Sequence, residues 1–276
     1  MTPHQLLINY QTSWKSKMNS IEEESSFEVL ETSDCTPTKY YNLRAQFKAE
    51  RKRRMDLEET MKRLVGSNIK AVTDLLFSAA KEGHLGTFKS LLPLLSDKNP
   101  KDNNGKTSLH YAAENGHLRV VKYLSCQVQD KNPKSNCGWT PLHLAAVKGH
   151  LNTVKYLCSQ VQDKNPKDNY GWTPLHAAAG NLEVVKYLCD QVQDKNPKSK
   201  NGETPLHGAA YLGRTEVVKY LVTVVDNKHP KNDCGETPLD WARQYGYTEI
   251  INILQKYCKK CFLRKPSLKA SRLQEA

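Results

Sequence analysis

Four histidines, His110, His143, His176 and His207, recur at intervals of 33, 33 and 31 residues. Histidine ligates zinc and shuttles protons near neutral pH, so such a series invites a metal or acid–base reading. Its placement argues otherwise. Each ring stands at the same place in a repeated phrase, and Asp240 takes that place in the last copy. A histidine repeated in register is expected to make a structural hydrogen bond at the start of a helix. Cys258-x-x-Cys261 has no second cysteine pair nearby, so a zinc site there would lack ligands. Cys126, Cys158 and Cys189, at nearly repeated helical positions, read as small apolar packing residues in a reducing compartment rather than as a disulfide framework. The chain has no Walker-type or dinucleotide-type glycine loop, no G-x-S-x-G and no H-E-x-x-H. No catalysis and no cofactor are expected.

The elements that position these residues follow from the phrase itself. It runs over 105–110 (GKTSLH), 138–143 (GWTPLH), 171–176 (GWTPLH), 202–207 (GETPLH) and 235–240 (GETPLD). Within 138–170, Asn136-Cys137-Gly138 supplies a turn whose glycine tolerates positive φ. Thr140 suits a helix N-cap, and Pro141 suits the first helical position, where its missing N–H costs nothing. Leu142, Leu144, Ala145 and Ala146 give the first helix an apolar face of mostly small residues. Gly149-His150 breaks it, and Leu151, Val154, Tyr156 and Leu157 recur at helical spacing in a second helix. Asn165-Pro166 closes the unit, because the residue before a proline is pushed towards extended geometry.

A 33-residue period containing T-P-L-H resembles the ankyrin repeat, a β-turn followed by two antiparallel helices. The resemblance implies an all-α fold, an ankyrin-repeat solenoid with β-turn or hairpin tips. Six repeats are expected over 71–262: 71–104, 105–137, 138–170, 171–201, 202–234 and 235–262. The first is degenerate, Leu76–Leu85 aligning with Leu109–Leu118, and the outermost units read as caps. Two departures from the family pattern stand out. Val128, Val161 and Val192 replace the glycine that ordinarily closes the second helix, so that helix should run longer or end differently. The stretch Ala177–Leu182 lacks two residues, which should shorten the first helix or tighten its turn. The weakest interface in the array is therefore expected at 171–201.

The net charge of +12 is unevenly spread. Residues 1–38, with an acidic, Ser-rich stretch at 21–34, read as disordered. Residues 39–70 read as a charged helical segment, in which Arg51-Lys52-Arg53-Arg54 is compatible with nuclear import. Residues 263–276 read as a basic tail, where Ser267 follows basic residues as a basophilic kinase would require. Each repeat also carries a version of D-K-N-P-K, at 97–101, 130–134, 163–167, 194–198 and 227–231. Their lysines, stacked on one edge, are either solvated loop residues or a stripe that attracts an acidic partner. No apolar run reaches bilayer length and no leader is evident, so a monomeric cytoplasmic protein, also nuclear, is expected without membrane insertion.

The resemblance implies a protein partner, held by the concave face and by turn positions flanking each glycine and the end of each first helix. Carried onto this chain, these positions are Asn103, Asn104, Lys106, Glu114 and Asn115, then Asn136, Cys137, Trp139, Val147 and Lys148. Asn169, Tyr170 and Trp172 follow, then Lys200, Asn201, Glu203, Tyr211 and Leu212, and finally Asp233, Cys234, Glu236, Gln244 and Tyr245. Trp139 and Trp172 read either as exposed anchors for a partner or as rings stacked on neighbouring turns. As anchors they should be removable without loss of helix or of melting temperature. The favoured function is a non-catalytic adaptor, scaffold or inhibitor. The alternative is a basic nuclear protein contacting nucleic acid through its lysines, with steep salt dependence. A ubiquitin-transfer substrate receptor has no recruiting motif to support it.

Overall fold

The computed structural model describes residues 69–263, with side chains to Tyr257, and helical residues at 48, 49, 51–53, 55, 56 and 59. The expectations for residues 1–38, Arg54, Cys258-x-x-Cys261 and the tail with Ser267 lie outside what it describes. The chain divides into two compact units. Of the smaller, residues 1–72 with 89–96, the described parts are helical at 48, 49, 51–53, 55, 56, 59 and 69–72, and Leu91, Leu92 and Leu95 are buried.

The larger unit, residues 73–88 with 97–276, carries the repeats. The helices are α1 (Ile69–Glu82), α2 (Leu85–Leu91), α3 (Ser108–Glu114), α4 (Leu118–Gln127), α5 (Pro141–Lys148) and α6 (Leu151–Gln160). They continue with α7 (Pro174–Ala177), α8 (Leu182–Gln191), α9 (Pro205–Tyr211), α10 (Thr215–Val224), α11 (Pro238–Gln244) and α12 (Thr248–Leu263). All regular structure among the described residues is helical, as expected for an all-α repeat solenoid.

Each first helix starts where the sequence says it should. Thr107, Thr140, Thr173, Thr204 and Thr237 are extended N-caps, each in a reciprocal capping box with the residue three positions on. The leucine of the phrase is sealed: Leu109, Leu142, Leu175 and Leu206 are at most 1% exposed. Burying each contributes about 1.5–3 kcal/mol. The core continues through Ala112, Ala145, Ala178 and Ala209, all fully buried, whose small size lets successive first helices approach closely.

The valines do end the second helices differently. Val128, Val161, Val192 and Val225 are extended C-caps. Val128, Val192 and Val225 still donate N–H to the carbonyl four residues back, at 3.1, 3.1 and 2.9 Å. A β-branched residue is comfortable there, and no left-handed cap is needed. The following Asp130, Asp163 and Asp194 each accept the N–H two residues on, at 2.9–3.0 Å, which sets the Asx turn of the D-K-N-P loop.

The deletion has both expected effects. Helix α7 keeps only four residues, and a 3-10 turn, Ala178–Gly180, replaces its last part. In the flanking pairs Gly149 and Gly213 hold φ of 78° and 66°, whereas the chain after Gly180 leaves through Asn181 at φ −132°.

Candidate partner-binding surface

Four of the turn tips are folded by a side chain of their own, and each tip after the first is fastened to the one before it. Asp102 accepts the N–H of Asn104 and Lys106 at 2.9 and 2.7 Å, and Asp168 accepts those of Tyr170 and Trp172 at 2.8 and 2.7 Å. In later turns Ser199 occupies the same place and accepts both equivalent amides, of Asn201 and Glu203, and Asn232 accepts that of Glu236. Between tips, the N–H of Asn136, Asn169, Lys200 and Asp233 donate to the carbonyls of Asn104, Cys137, Tyr170 and Asn201, at 2.8–3.1 Å. Asn136 and Asn169 add side-chain bonds to Asn103 and Asn136 carbonyls, at 2.9 and 2.8 Å. Backbone and polar side chains at the tips thus hold repeats together, and the outward side chains are left to vary.

The histidines carry the expected bond and a second one. His110 Nδ1 accepts the Thr107 N–H at 2.9 Å, while Nε2 donates to the carbonyl of Trp139 in the next turn at 3.0 Å. His143, His176 and His207 repeat this, reaching the carbonyls of Trp172, Glu203 and Glu236 at 3.2, 3.2 and 3.1 Å. Burial of the ring, outweighing the carbonyl contact, pushes His110, His143 and His176 down to about 4, and His207 shifts the same way. Both nitrogens of each neutral ring are therefore committed. Asp240 explains itself in the same terms, since it accepts the Thr237 N–H and hydroxyl at 2.9 and 2.7 Å and, as a carboxylate, carries no second donor for a next turn.

Trp139 and Trp172 are half-buried, against the expectation of exposed anchors. Each indole stacks on the capping histidine of its own repeat, with centroids 5.9 and 5.8 Å apart and planes within 27°. The Trp139 Nε1–H also donates to Asp168 in the next turn, at 2.9 Å. The reading in which the rings pack on neighbouring turns fits this geometry, so both residues have a folding role and cannot serve as stability-neutral probes.

The strongly exposed large apolar side chains of the array are Val147, Tyr170, Tyr211, Leu212 and Tyr245, from 37% to 67% exposed. All are positions carried over from the family pattern: one tip and three first-helix ends. Of the other such positions, Asn103, Asn104, Asn115, Asn136, Cys137, Lys148, Asn169, Lys200, Asn201, Asp233, Cys234, Glu236 and Gln244 are exposed, and Lys106, Glu114 and Glu203 are half-buried. Lys106 and Glu114 are bound to each other at 3.0 Å. Glu236 accepts from Trp241 and Asn232 at 2.9 and 3.0 Å.

Two aromatic positions were missed in the sequence. Trp241 lies edge-on to His207 and Tyr211, at 5.2 and 5.9 Å, and Tyr247 stacks on Tyr245 at 6.2 Å. Tyr211 and Tyr245 meet at 5.1 Å, so the aromatic cluster bridges α9 and α11. The signal was available: where Trp241 stands, earlier repeats have Tyr111, Leu144, Ala177 and Gly208.

The lysine edge is ordered as well. Lys101, Lys134 and Lys167 each donate Nζ to the carbonyl of the equivalent lysine in the next loop, Lys134, Lys167 and Lys198, at 3.2, 3.0 and 3.3 Å. All four remain exposed.

A family model of ankyrin repeats matches the chain three times, over residues 52–135, 126–201 and 180–263. Together with the capped helix pairs and the tip ladder, this places the chain in the ankyrin-repeat family, whose repeats are protein–protein interaction modules. No curated protein matches it. Among the described residues no helix is long and apolar enough to cross a membrane.

Proposed function

We propose that the protein is a non-catalytic adaptor, scaffold or inhibitor that holds a protein partner along its turn tips and first-helix ends. The observation that carries this is the location of the exposed Val147, Tyr170, Tyr211, Leu212 and Tyr245. None of these is needed to seal the core, and together they supply the apolar anchors from which recognition draws most of its energy. The lysine edge adds a preference for a partner with an acidic face, acting mainly on the rate of encounter. The protein works as a monomer in the cytoplasm, and also in the nucleus.

The test is affinity purification from the native cell with the whole chain and with Tyr170→Ala/Tyr211→Ala/Tyr245→Ala. The triple variant should lose its specific partners while keeping its far-ultraviolet circular dichroism, its melting temperature falling only by the modest cost of the lost Tyr211–Trp241, Tyr211–Tyr245 and Tyr245–Tyr247 ring contacts. Equal recovery by both proteins would discard this surface. The nucleic-acid alternative rests on the same exposed lysines and is separated by salt: binding to a DNA or RNA oligonucleotide that falls steeply with ionic strength and is lost in Lys101→Gln/Lys134→Gln/Lys167→Gln would favour it.

A further inference from the structure

In the row of first-helix ends, one place is vacant. Residues equivalent to Val147 and Lys148, or to Tyr211 and Leu212, are missing from the repeat that contains α7, because its helix stops at the 3-10 turn Ala178–Gly180. Elsewhere the residue after the glycine lies directly over the preceding repeat's glycine and often bonds its helix end. A methyl group built on Gly83, Gly116, Gly149 or Gly213 would meet His117, His150, Asn181 or Tyr247 at 2.5–2.8 Å. His117 and His150 donate to the carbonyls of Lys81 and Glu114 at 2.8 and 3.0 Å, and Asn181 to that of Val147 at 3.0 Å. At Gly180 the same methyl group would find Arg214 Nε only at 3.9 Å and Leu212 at 4.0 Å.

The place left by the missing residues, the notch, is bordered by Gly180, by Val147, whose carbonyl accepts from the neighbouring Asn181 at 3.0 Å, and by Leu212, whose Cδ1 lies 4.0 Å from a methyl group built on Gly180. Tyr211, edge-on to Tyr245, adjoins Leu212 and adds to the exposed apolar surface. The charge at the notch is one-sided. The side chain of the exposed Arg214 makes no hydrogen bond or ion pair among the described residues, and that of Lys148 beside Val147 makes none either. The acidic groups closest in sequence are committed: Glu183 pairs with Lys186 at 2.9 Å and Glu216 with Lys219 at 2.7 Å.

We infer that this notch receives a segment of a partner protein in which a large apolar side chain lies beside a carboxylate. The apolar group would enter between Val147 and Leu212 and the carboxylate would meet the Arg214 guanidinium, which offers a forked donor set to two oxygens. This rests on the protein-partner reading above and specifies where and by what chemistry that partner is held.

The test uses the whole chain, labelled with nitrogen-15, and three acetylated pentapeptides: Glu-Glu-Phe-Glu-Glu, the same with glycine for phenylalanine, and the same with lysine for glutamate. The first should shift the amide signals of Gly180, Leu212 and Arg214, and the other two should not. Arg214→Gln and Leu212→Ser should each weaken the first peptide about fivefold, as expected for an exposed contact, with Arg214→Lys retaining part of the effect. No shift at these three amides overturns the inference, as does an equal response to the lysine peptide. Shifts confined to Lys101, Lys134 and Lys167 also overturn the notch, while leaving an acidic partner in place. Failure of the broader reading shows itself separately, as unchanged capture by the tyrosine variant.

Discussion

His143 Nε2 stands 3.2 Å from the carbonyl of Trp172, so the residue that caps one repeat also fastens it to the next. The bond requires the neutral ring to donate from Nε2 while Nδ1 accepts the Thr140 N–H at 3.2 Å. Protonation would place a second donor at Nδ1, facing that N–H. The charged form is doubly disfavoured, by burial and by loss of the cap.

The pH dependence follows. His110, His143 and His176 titrate at about 4 in the folded chain, against 6.5 for the ordinary side chain. Between these values the unfolded chain binds more protons than the folded one, so stability is full above about pH 6.5 and falls as pH drops towards 4. Each histidine contributes roughly 3 kcal/mol to this loss, at about 1.4 kcal/mol per pH unit. Urea midpoints should fall steeply from pH 7 to pH 4.5, and His143→Gln should flatten the slope by roughly a quarter to a third, since His207 shifts in the same direction as the other three. A flat profile would show that the rings are not held neutral.

The glycine of each phrase should matter in proportion to what lies over it. Gly138 has φ of +85°, and a methyl group there would sit 2.7 Å from the Asn169 amide nitrogen, part of the tip ladder. Gly235 has nearly the same φ, +82°, yet among the described residues nothing lies within 4 Å of it and no turn of the phrase follows. Gly235→Ala should therefore lose only the left-handed strain, about 1–2 kcal/mol, and Gly138→Ala at least twice that. Equal losses in chemical denaturation would mean that the tips contribute little to repeat coupling.

The same contrast shows what the sequence made legible. Period, caps, the sealed leucines and the structural histidines follow from local rules, because each depends on residues within one repeat or at a fixed offset in the next. Asp240 follows the same local rule, since a carboxylate can cap the helix but lacks the second donor that each histidine uses. The tryptophans resisted, since Trp139 hydrogen-bonds to Asp168, 29 residues on, and exposure is not encoded by residue type. The Trp241 cluster was missed because a single aromatic on a helix reads as core until its neighbours, Tyr211 and Tyr245, are placed beside it. The consequence of the two-residue deletion was readable as a shorter helix, but the unpaired Arg214 it leaves behind belongs to the following repeat.

Hydrogen exchange should expose that break. Asn181 still ties the pair α7/α8 back to Val147, so the interface on its N-terminal side is complete, whereas Arg214 gives no equivalent tie on its C-terminal side. The bonds that do cross it, His176 to Glu203 at 3.2 Å, Lys200 to Tyr170 at 2.8 Å and Asn196 to Asn227 at 3.3 Å, lie on the tip and loop side. The interface should open from the helix-end side while the tips hold. Within the interior pairs α3/α4 to α9/α10, the amides of Ala177–Asn181 and of the α9 end should therefore exchange fastest, by about tenfold for each 1.4 kcal/mol of missing interaction. Uniform protection across these four pairs would show that tip and loop bonds alone suffice to couple the repeats.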